Sequence, residues 1–366
     1  MFKVDPIDRQ TIDSWPIAES GLPTRVVNGT REAGILSVGE LRRKSDEELF
    51  RLRTIGRVSL RDIHNFFNLC QQIESGQLIF ITIQQLFDLF LDKEEMTVLI
   101  GRCGLQRDDA NASRNFMTLQ EIGNTMHLTR ERIRQVENTA LAKLQSRLAD
   151  VCLQPFYLYL RHFIHSRDQT VDYSEAYDLS GQAWLSDYNP CPVMLLLADL
   201  APDKLTAYNR FFSILPRKTI ETLERTAISV LKQESRSMSL DHIASRVASV
   251  APDIPDISLR KAVRVILDYY PQSAPTMDNR YFLYPNGAHD FLTETMQSLS
   301  GPTGYRAITN AFNARLKPEG RKGAGYILKL LNEHPACARI DRGQYALQQA
   351  ADATNSGPGD PAVPAP

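Results

Sequence analysis

Apolar residues recur at helical spacing along most of the chain. From Gly21 to about Ser75 the pattern predicts short helices separated by turns, and from Leu78 to Gly101 it predicts a more apolar helical segment. The stretch from Met117 to Leu141, MTLQEIGNTMHLTRERIRQVENTAL, is polar and highly charged, yet its apolar residues also keep helical steps. Its helix is expected to run on to about Leu148, so most of the sequence is predicted to be α-helical.

One order of elements occurs twice in the C-terminal part of the sequence. Three helical patterns are followed by a short strand pair, first at APTMDNRYFLYP and then at ACARIDRGQYALQ. Asp278-Asn279 and Asp341-Arg342-Gly343 supply residues suited to the two turns. Three helices closed by a two-stranded hairpin are typical of a winged helix. We therefore predict two such units, which either contact DNA or dock a protein.

The predicted fold class is mainly α and multi-domain, with a helix-hairpin-helix module, a helix-turn-helix module and two winged-helix units. The predicted boundaries are a flexible arm at residues 1–17, the helix-hairpin-helix domain at 18–76, the helix-turn-helix domain at 77–150, a helical connector at 151–217, winged helices at 218–287 and 288–349, and a disordered tail at 350–366.

Composition gives no sign of an enzyme, a membrane protein or a metalloprotein. The 366 residues carry a formal net charge of -1 and are 43% hydrophobic, as in an ordinary globular protein. No apolar run is long enough to cross a membrane, and no nucleophile motif or phosphate-binding loop is found. His162 and His165 lie three apart but lack further ligands at suitable spacing. We expect no catalytic residues, metal or cofactor, and a cytoplasmic, nucleoid-associated protein.

The stretch after Met117 fits a pair of helices that cross closely. With Leu119 as the first residue, Gly123 falls where a small side chain is needed, and Ile122, Met126, Leu128, Ile133 and Val136 fall on buried positions. Thr129 can cap the second helix. The turn position favours a left-handed backbone, which His127 tolerates better than most residues.

The second helix would expose four residues near its N-terminus, which we call the predicted base-contacting set: Arg130, Glu131, Arg134 and Gln135. Arginine can bind guanine through two hydrogen bonds, glutamine suits adenine, and glutamate can accept from cytosine. Lys143 and Arg147 lie further along and suit phosphates. The alternative is a surface helix whose charges only pair with one another.

This stretch closely resembles region four of the primary bacterial sigma factors, whose run TLEEIG…VTRERIRQIE stands here as TLQEIG…LTRERIRQVE. The resemblance covers about residues 93–148. It implies a helix that binds the promoter −35 element through the predicted base-contacting set. The preceding EEMTVLIGRCGL resembles the part of region four that helps dock on the RNA polymerase flap.

A second segment, from Arg25 to Arg61, carries nine basic and five acidic residues. A glycine turn at Ile55-Gly56 would present backbone N–H groups, with Arg57 and Ser59 at the start of the next helix. The alternative is a protein-interaction domain with a solvated charge run at Arg42-Arg43-Lys44. Residues 18–75 resemble the C-terminal domain of the bacterial RNA polymerase α subunit. The resemblance implies that Arg25, Asn28, Gly56, Arg57 and Ser59 contact DNA backbone and minor groove, while Val58 replaces a lysine of that family.

Together these features predict a sequence-specific DNA-binding protein, a bacterial transcription regulator that acts on promoter-like double-stranded DNA. Thr129, Lys143 and Arg147 complete the predicted backbone contacts. The alternatives are a protein that docks on RNA polymerase and a DNA-targeting subunit of a larger phage-defence or mobile-element complex. Helix-hairpin-helix elements also occur in repair enzymes, but no catalytic residue supports that function. The sequence does not determine the oligomeric state.

Overall fold

The computed structural model describes residues 1–106, 116–185, 188–285, 287–299 and 301–348. The protein forms two compact units. The first contains residues 1–167, 171–208 and 212–214; the second contains 168–170, 209–211 and the described residues from 215 onward. The tail predicted to be disordered, 350–366, lies outside the described residues.

The N-terminal part of the first unit consists of short helices separated by tight turns, as the sequence predicted. Its elements are β1 (Phe2–Lys3), α1 (Arg9–Asp13), α2 (Thr24–Glu32), α3 (Val38–Arg42), α4 (Asp46–Phe50) and α5 (Arg57–Glu74). Helices α3 and α4 each begin with a capping box, in which Ser37 pairs with Glu40 and Ser45 with Glu48. These reciprocal bonds satisfy backbone donors that such short helices would otherwise leave free.

The first 17 residues are not the flexible arm that the sequence predicted. Phe2 of β1 pairs with Phe80 of β2 (Ile79–Phe80), and its ring stacks on Phe156 at a centroid distance of 4.3 Å. Val4 and Trp15 are also buried in the core. The prediction relied on a polar composition, but the few large apolar residues of this segment are the ones that find partners.

The middle of the first unit contains four helices: α6 (Ile83–Phe90), α7 (Lys93–Cys103), α8 (Leu119–Met126) and α9 (Arg130–Leu144). The apolar segment predicted from Leu78 onward breaks at Asp92, whose side chain accepts a bond of 2.9 Å from the Glu95 N–H and starts α7. Helix α9 ends at Leu144, before the predicted end near Leu148, because Ser146 caps the following helix.

The described residues between 147 and 347 form three copies of one element order: helix, strand, helix, helix, strand, strand. The first copy is α10 (Arg147–His165), β3 (Thr170–Asp172), α11 (Tyr173–Ala176), α12 (Pro190–Leu200), β4 (Thr206–Tyr208) and β5 (Phe211–Ser213). The second is α13 (Arg217–Glu234), β6 (Met238–Ser239), α14 (Leu240–Val247), α15 (Asp256–Tyr269), β7 (Ser273–Pro275) and β8 (Arg280–Leu283). The third is α16 (Ala288–Gln297), β9 (Thr303–Gly304), α17 (Tyr305–Ala314), α18 (Ala324–Glu333), β10 (Cys337–Asp341) and β11 (Gln344–Leu347).

The three sheets also share one strand order, in which the third strand of each copy lies between the first and the second: β3-β5-β4, β6-β8-β7 and β9-β11-β10. The segment 151–217, predicted as a helical connector, therefore holds most of a copy that the sequence did not reveal. Its strands are only three residues long, which is too short for an alternating pattern to appear.

Each unit has its own hydrophobic core. In the first unit the largest cluster joins the N-terminal segment, α5, α6, α10 and α12, and a small separate cluster joins α7, α8 and α9. In the second unit Phe282, Phe291 and Phe312 form an aromatic centre with ring centroids 4.9–6.3 Å apart. No helix of the described residues is long and apolar enough to cross a membrane.

Candidate nucleic-acid interface

The helix pair α8–α9 is built by local bonds that the sequence encodes. Thr118 and Glu121 form a capping box at the start of α8. His127 ends α8 in the left-handed conformation, at φ 56° and ψ 37°. Thr129 then caps α9 by accepting from the Arg132 N–H at 3.2 Å. The left-handed turn and the cap are confirmed as predicted, and the cap engages the Thr129 hydroxyl oxygen within the protein.

The crossing of the two helices depends on Gly123. A Cβ at this position would lie 2.7 Å from the Leu128 carbonyl oxygen, a distance that real Cβ atoms do not adopt. Below the crossing, Ile122, Ile133 and Val136 are buried together with Val98 of α7. Met126 and Leu128 are only partly buried around this cluster. The close approach is thus confirmed, as are three of the five predicted buried positions.

The predicted base-contacting set lies on the exposed side of α9, and three of its four members bond to one another. Glu131 accepts from Arg134 Nε at 2.8 Å and Nη2 at 2.6 Å, and from Gln135 Nε2 at 3.2 Å. These bonds, that of Arg134 first, lower the pKa of Glu131 to about 2. Of the two alternatives predicted for these charges, exposed to a ligand or paired with one another, Arg134 shows the paired one, although it stays about half exposed.

The other two arginines at the start of α9 differ from Arg134. Arg132 forms an ion pair of 3.3 Å with Glu94 of α7 and so faces back toward the protein. Arg130 is exposed and has no hydrogen-bond or ion-pair partner within the described part of the protein. The exposed side of α9 therefore carries one unpaired guanidinium, that of Arg130, and one that is held in place by Glu131, that of Arg134.

The two basic residues predicted to contact phosphate further along also have protein partners. Lys143 lies 2.6 Å from the carboxylate of Glu95, whose side chain is only 7% exposed. Arg147 forms an ion pair of 2.6 Å with Glu19, in which both side chains are about half exposed. Lys143 thus compensates a buried charge, whereas Arg147 lies in a solvated pair that contributes little to stability.

The turn at Ile55-Gly56 leads directly into α5. Gly56 is the N-cap residue and supplies no side-chain bond, so the first N–H groups of this 18-residue helix lack intrahelical partners. Arg57 is exposed and unpaired within the described residues. Ser59, predicted to contact DNA, is buried, and its hydroxyl donates to the Thr54 carbonyl oxygen at 3.4 Å. Its side chain therefore faces the protein, because it closes the turn.

Arg25 and Asn28 lie on the exposed side of α2, one helical turn apart. The Arg25 guanidinium is bound to Asp62 of α5 at 2.5 Å, and its side chain is 49% exposed. The Asn28 side chain is exposed and bonds to no described residue. A ligand that approaches this side of α2 thus meets Asn28 directly, but it must compete with Asp62 for Arg25.

An open cleft of about 1060 Å³ separates α2 from the C-terminal half of α9. One wall carries Arg25, Asn28 and Arg31; the other carries Asn138, Thr139, Ala142 and Lys143. The residues 131, 135, 138 and 142 follow helical steps of four, three and four, so they share one side of α9. The side that holds the predicted base-contacting set therefore continues into the cleft that holds Arg25 and Asn28.

Residues of this surface that the sequence analysis did not single out are Arg31, Asn138 and Thr139. The last two continue the helical stripe of Glu131 and Gln135, so the spacing was an available signal. The acidic residues Glu19, Asp62 and Asp92 also line the cleft, and no spacing along the sequence announces them because they come from other elements. Acidic and basic residues are thus nearly balanced there. Among the described residues no group of three or more His, Cys, Asp or Glu is placed to hold a metal.

The two segments that form this surface each match a known family. The model of sigma-70, region 4, matches residues 91–146, and the model of the C-terminal domain of the bacterial RNA polymerase alpha subunit matches residues 5–68. The two resemblances stated from the sequence are thus confirmed, with slightly different bounds. They indicate a DNA-binding, transcription-related protein, and they imply interaction with DNA and RNA polymerase. No curated protein matches the sequence.

Proposed function

We propose that this protein is a sequence-specific DNA-binding transcription regulator that recognises promoter-like sequence and acts by binding, not by catalysis. The pair α8–α9 serves as a helix-turn-helix with α9 in the major groove, and the turn at Gly56 serves as a helix-hairpin-helix element on phosphate. The observation that carries the proposal is the exposed side of α9, which presents Arg130, Arg134 and Gln135 and continues toward Arg25 and Asn28.

In this proposal Glu131 positions Arg134. Arginine has five N–H donors, and the bond to Glu131 uses Nε and one of the two donors on Nη2. The donors on Nη1 and the second one on Nη2 remain available for a bidentate contact with guanine. Glu131 stays ionised at neutral pH because its pKa is about 2. The pair therefore fixes the direction of the guanidinium and leaves unbonded the N–H donors that would contact guanine.

The three repeated copies are proposed to be winged helices. The support is their shared element order and their shared strand order, with a hairpin that follows the third helix each time. Two of these units correspond to the sequence prediction, and residues 147–213 add a third. Winged helices bind either DNA or protein, so the assignment alone does not choose a partner for any copy.

RNA polymerase is the second candidate partner, and one surface favours it. A groove of about 760 Å³ lies between α7 and α8 and is lined in part by Ile100, Phe116 and Met117. Phe116 is 42% exposed, which is high for a phenylalanine. An electrophoretic shift with random DNA and one with core polymerase separate the two partners. Binding to polymerase alone would overturn the DNA-binding proposal.

The direct test of base recognition is Arg134→Ala in the full-length protein, with binding sites selected from a random duplex library. We expect the sequence preference to relax at one or two base pairs, at a cost of about 1–3 kcal/mol for the preferred site. Arg132→Ala is the matched control, because Arg132 is on the same helix but pairs with Glu94. An Arg134→Ala logo identical to that of the wild type would refute base reading by α9.

The phosphate contact at the turn is tested by Arg57→Ala. Binding to every sequence should weaken, and the magnitude of the slope of log K against log salt should fall by about one. Arg53→Ala removes the same charge from an exposed position in the loop before the turn, away from the start of α5, and should change the slope less. An unchanged slope in Arg57→Ala would show that the turn does not face phosphate.

A further inference from the structure

The three repeated copies differ in charge although they share their architecture. From the first strand to the last, residues 170–213 contain two basic and six acidic residues, residues 238–283 contain five of each, and residues 303–347 contain eight basic and three acidic residues. The balance thus rises from −4 through 0 to +5, while the whole protein is at -1. A local positive excess of this size is the electrostatic mark of a polyanion partner.

The second and third copies differ in how many of their basic residues form ion pairs within the protein. In the second copy Arg246 pairs with Glu234 at 3.4 Å and Arg260 with Asp241 at 2.9 Å. In the third copy Arg315, Lys317 and Lys329 also have acidic partners, and the pair of Lys329 with Glu333 is the most exposed of the three. Five further bases have no ion pair within the described residues: Arg306, Arg321, Lys322, Arg339 and Arg342. The positive charge of the third copy is therefore largely uncompensated.

Three of these arginines lie at one edge of the third copy. The Gly343 carbonyl in the hairpin turn accepts from the Tyr305 N–H at 2.9 Å, which places Arg342 beside the first turn of α17, where Arg306 lies. Arg339 is on β10, and its Nε donates to the Asp341 carbonyl at 3.3 Å, so its side chain follows the strand toward the same turn. All three side chains are exposed. We call these residues the hairpin-edge arginines.

The third helices of the second and third copies, α15 and α18, also differ in how much of their surface is exposed. Helix α15 buries Val265, Ile266 and Leu267 in succession, so its C-terminal half has little open surface. Helix α18 exposes Gly325, Lys329 and Asn332, which are four and three residues apart and form one polar stripe. A Cβ added at Gly325 would meet nothing within 4 Å, so the helix surface is open there. Only the third copy, of these two, presents an open helix next to unpaired charge.

We propose that the third copy is a further DNA-contacting unit, in which the hairpin-edge arginines and the exposed stripe of α18 bind the phosphates of a duplex, while the second copy does not contact DNA. The inference rests on the proposed DNA-binding function of the protein. Unpaired guanidinium groups that contact phosphates release counterions from the DNA. The contacts of the third copy must therefore contribute to the salt dependence of DNA affinity. An acidic protein is the competing partner.

The test uses the full-length protein, a duplex of random sequence and salt between about 50 and 200 mM, the range in which such contacts change affinity strongly. The variant Arg306→Gln/Arg339→Gln/Arg342→Gln should reduce the magnitude of the slope of log K against log salt by about 2–3, at ~0.9 per lost phosphate contact. The matched control, Arg236→Gln/Arg246→Gln/Arg260→Gln, removes the same charge from exposed positions of the second copy and should leave the slope unchanged.

Two additional variants keep the outcome decisive. Lys329→Gln changes only the exposed stripe of α18 and should reduce the magnitude of the slope by about one, so it tests the inference even where the triple variant does not fold. Arg57→Ala reports on the proposed function itself. If Arg57→Ala lowers the slope but neither third-copy change does, this inference is refuted and the surface is left for an acidic protein. If the wild type does not bind duplex DNA, the proposed function fails and the inference fails with it.

Discussion

The two regions that match transcription-machinery families hold their predicted contact residues in different states. In residues 91–146 the predicted base-contacting set is exposed on α9, and the Arg134 guanidinium pairs with Glu131 of the same helix. In residues 5–68 Arg25 is bound to Asp62, and the Ser59 side chain is buried. The pair on α9 joins residues three positions apart in the sequence, whereas the pair of Arg25 forms only when α2 packs against α5.

The largest expected effect concerns the two glycines on which these regions were predicted to depend. Gly123→Ala should destabilise the protein by about 1–3 kcal/mol, because the new Cβ meets a backbone oxygen that cannot move aside cheaply. Gly56→Ala should change stability by less than about 1 kcal/mol, because its Cβ meets nothing within 4 Å. Urea unfolding measures both. Equal losses would show that the packing difference between the regions is not real.

A smaller effect on stability is expected at two residues with a left-handed backbone, His127 at the end of α8 and Gly34 after α2. His127→Gly removes a backbone strain of about 1–2 kcal/mol and adds about 0.5–1 kcal/mol of backbone entropy cost, so it should stabilise slightly. A Cβ added at Gly34, which has φ 74°, would meet nothing within 4 Å, so Gly34→Ala should cost about 1 kcal/mol from the backbone alone. Thermal unfolding of both variants checks the opposite signs. A clear loss of stability in His127→Gly would mean that the imidazole itself supports the turn.

The smallest expected effect concerns the pair that distinguishes the second region. Asp62→Asn should release Arg25 and raise DNA affinity about two- to five-fold, since an exposed ion pair contributes about 0.2–1 kcal/mol. Asp46→Asn removes the same charge from the same region and should raise affinity less, because its partner is His64 rather than Arg25. Fluorescence anisotropy at fixed salt measures both. Equal gains would point to net charge instead of a released arginine.

The sequence predicted local features well and distant ones poorly. The cap at Thr129, the left-handed His127 and the small residue at Gly123 follow from steric and hydrogen-bond rules that act within a few residues. The packed N-terminal segment was missed, since Phe2 finds its partners at Phe80 and Phe156, far along the sequence. The first repeated copy was missed because its strands are three residues long.

The sequence by itself determined where the helices of the α8–α9 pair begin and end and which side of α9 is polar, because those features depend on residues three and four positions apart. The tertiary structure alone decided which of the basic side chains remain available. Asp62 binds Arg25, Glu95 binds Lys143, and five bases of the third copy are left without acidic partners among the described residues. Charges separated by many residues meet only after folding, and the strength of an ion pair depends on distance and burial, which the order of residues does not contain.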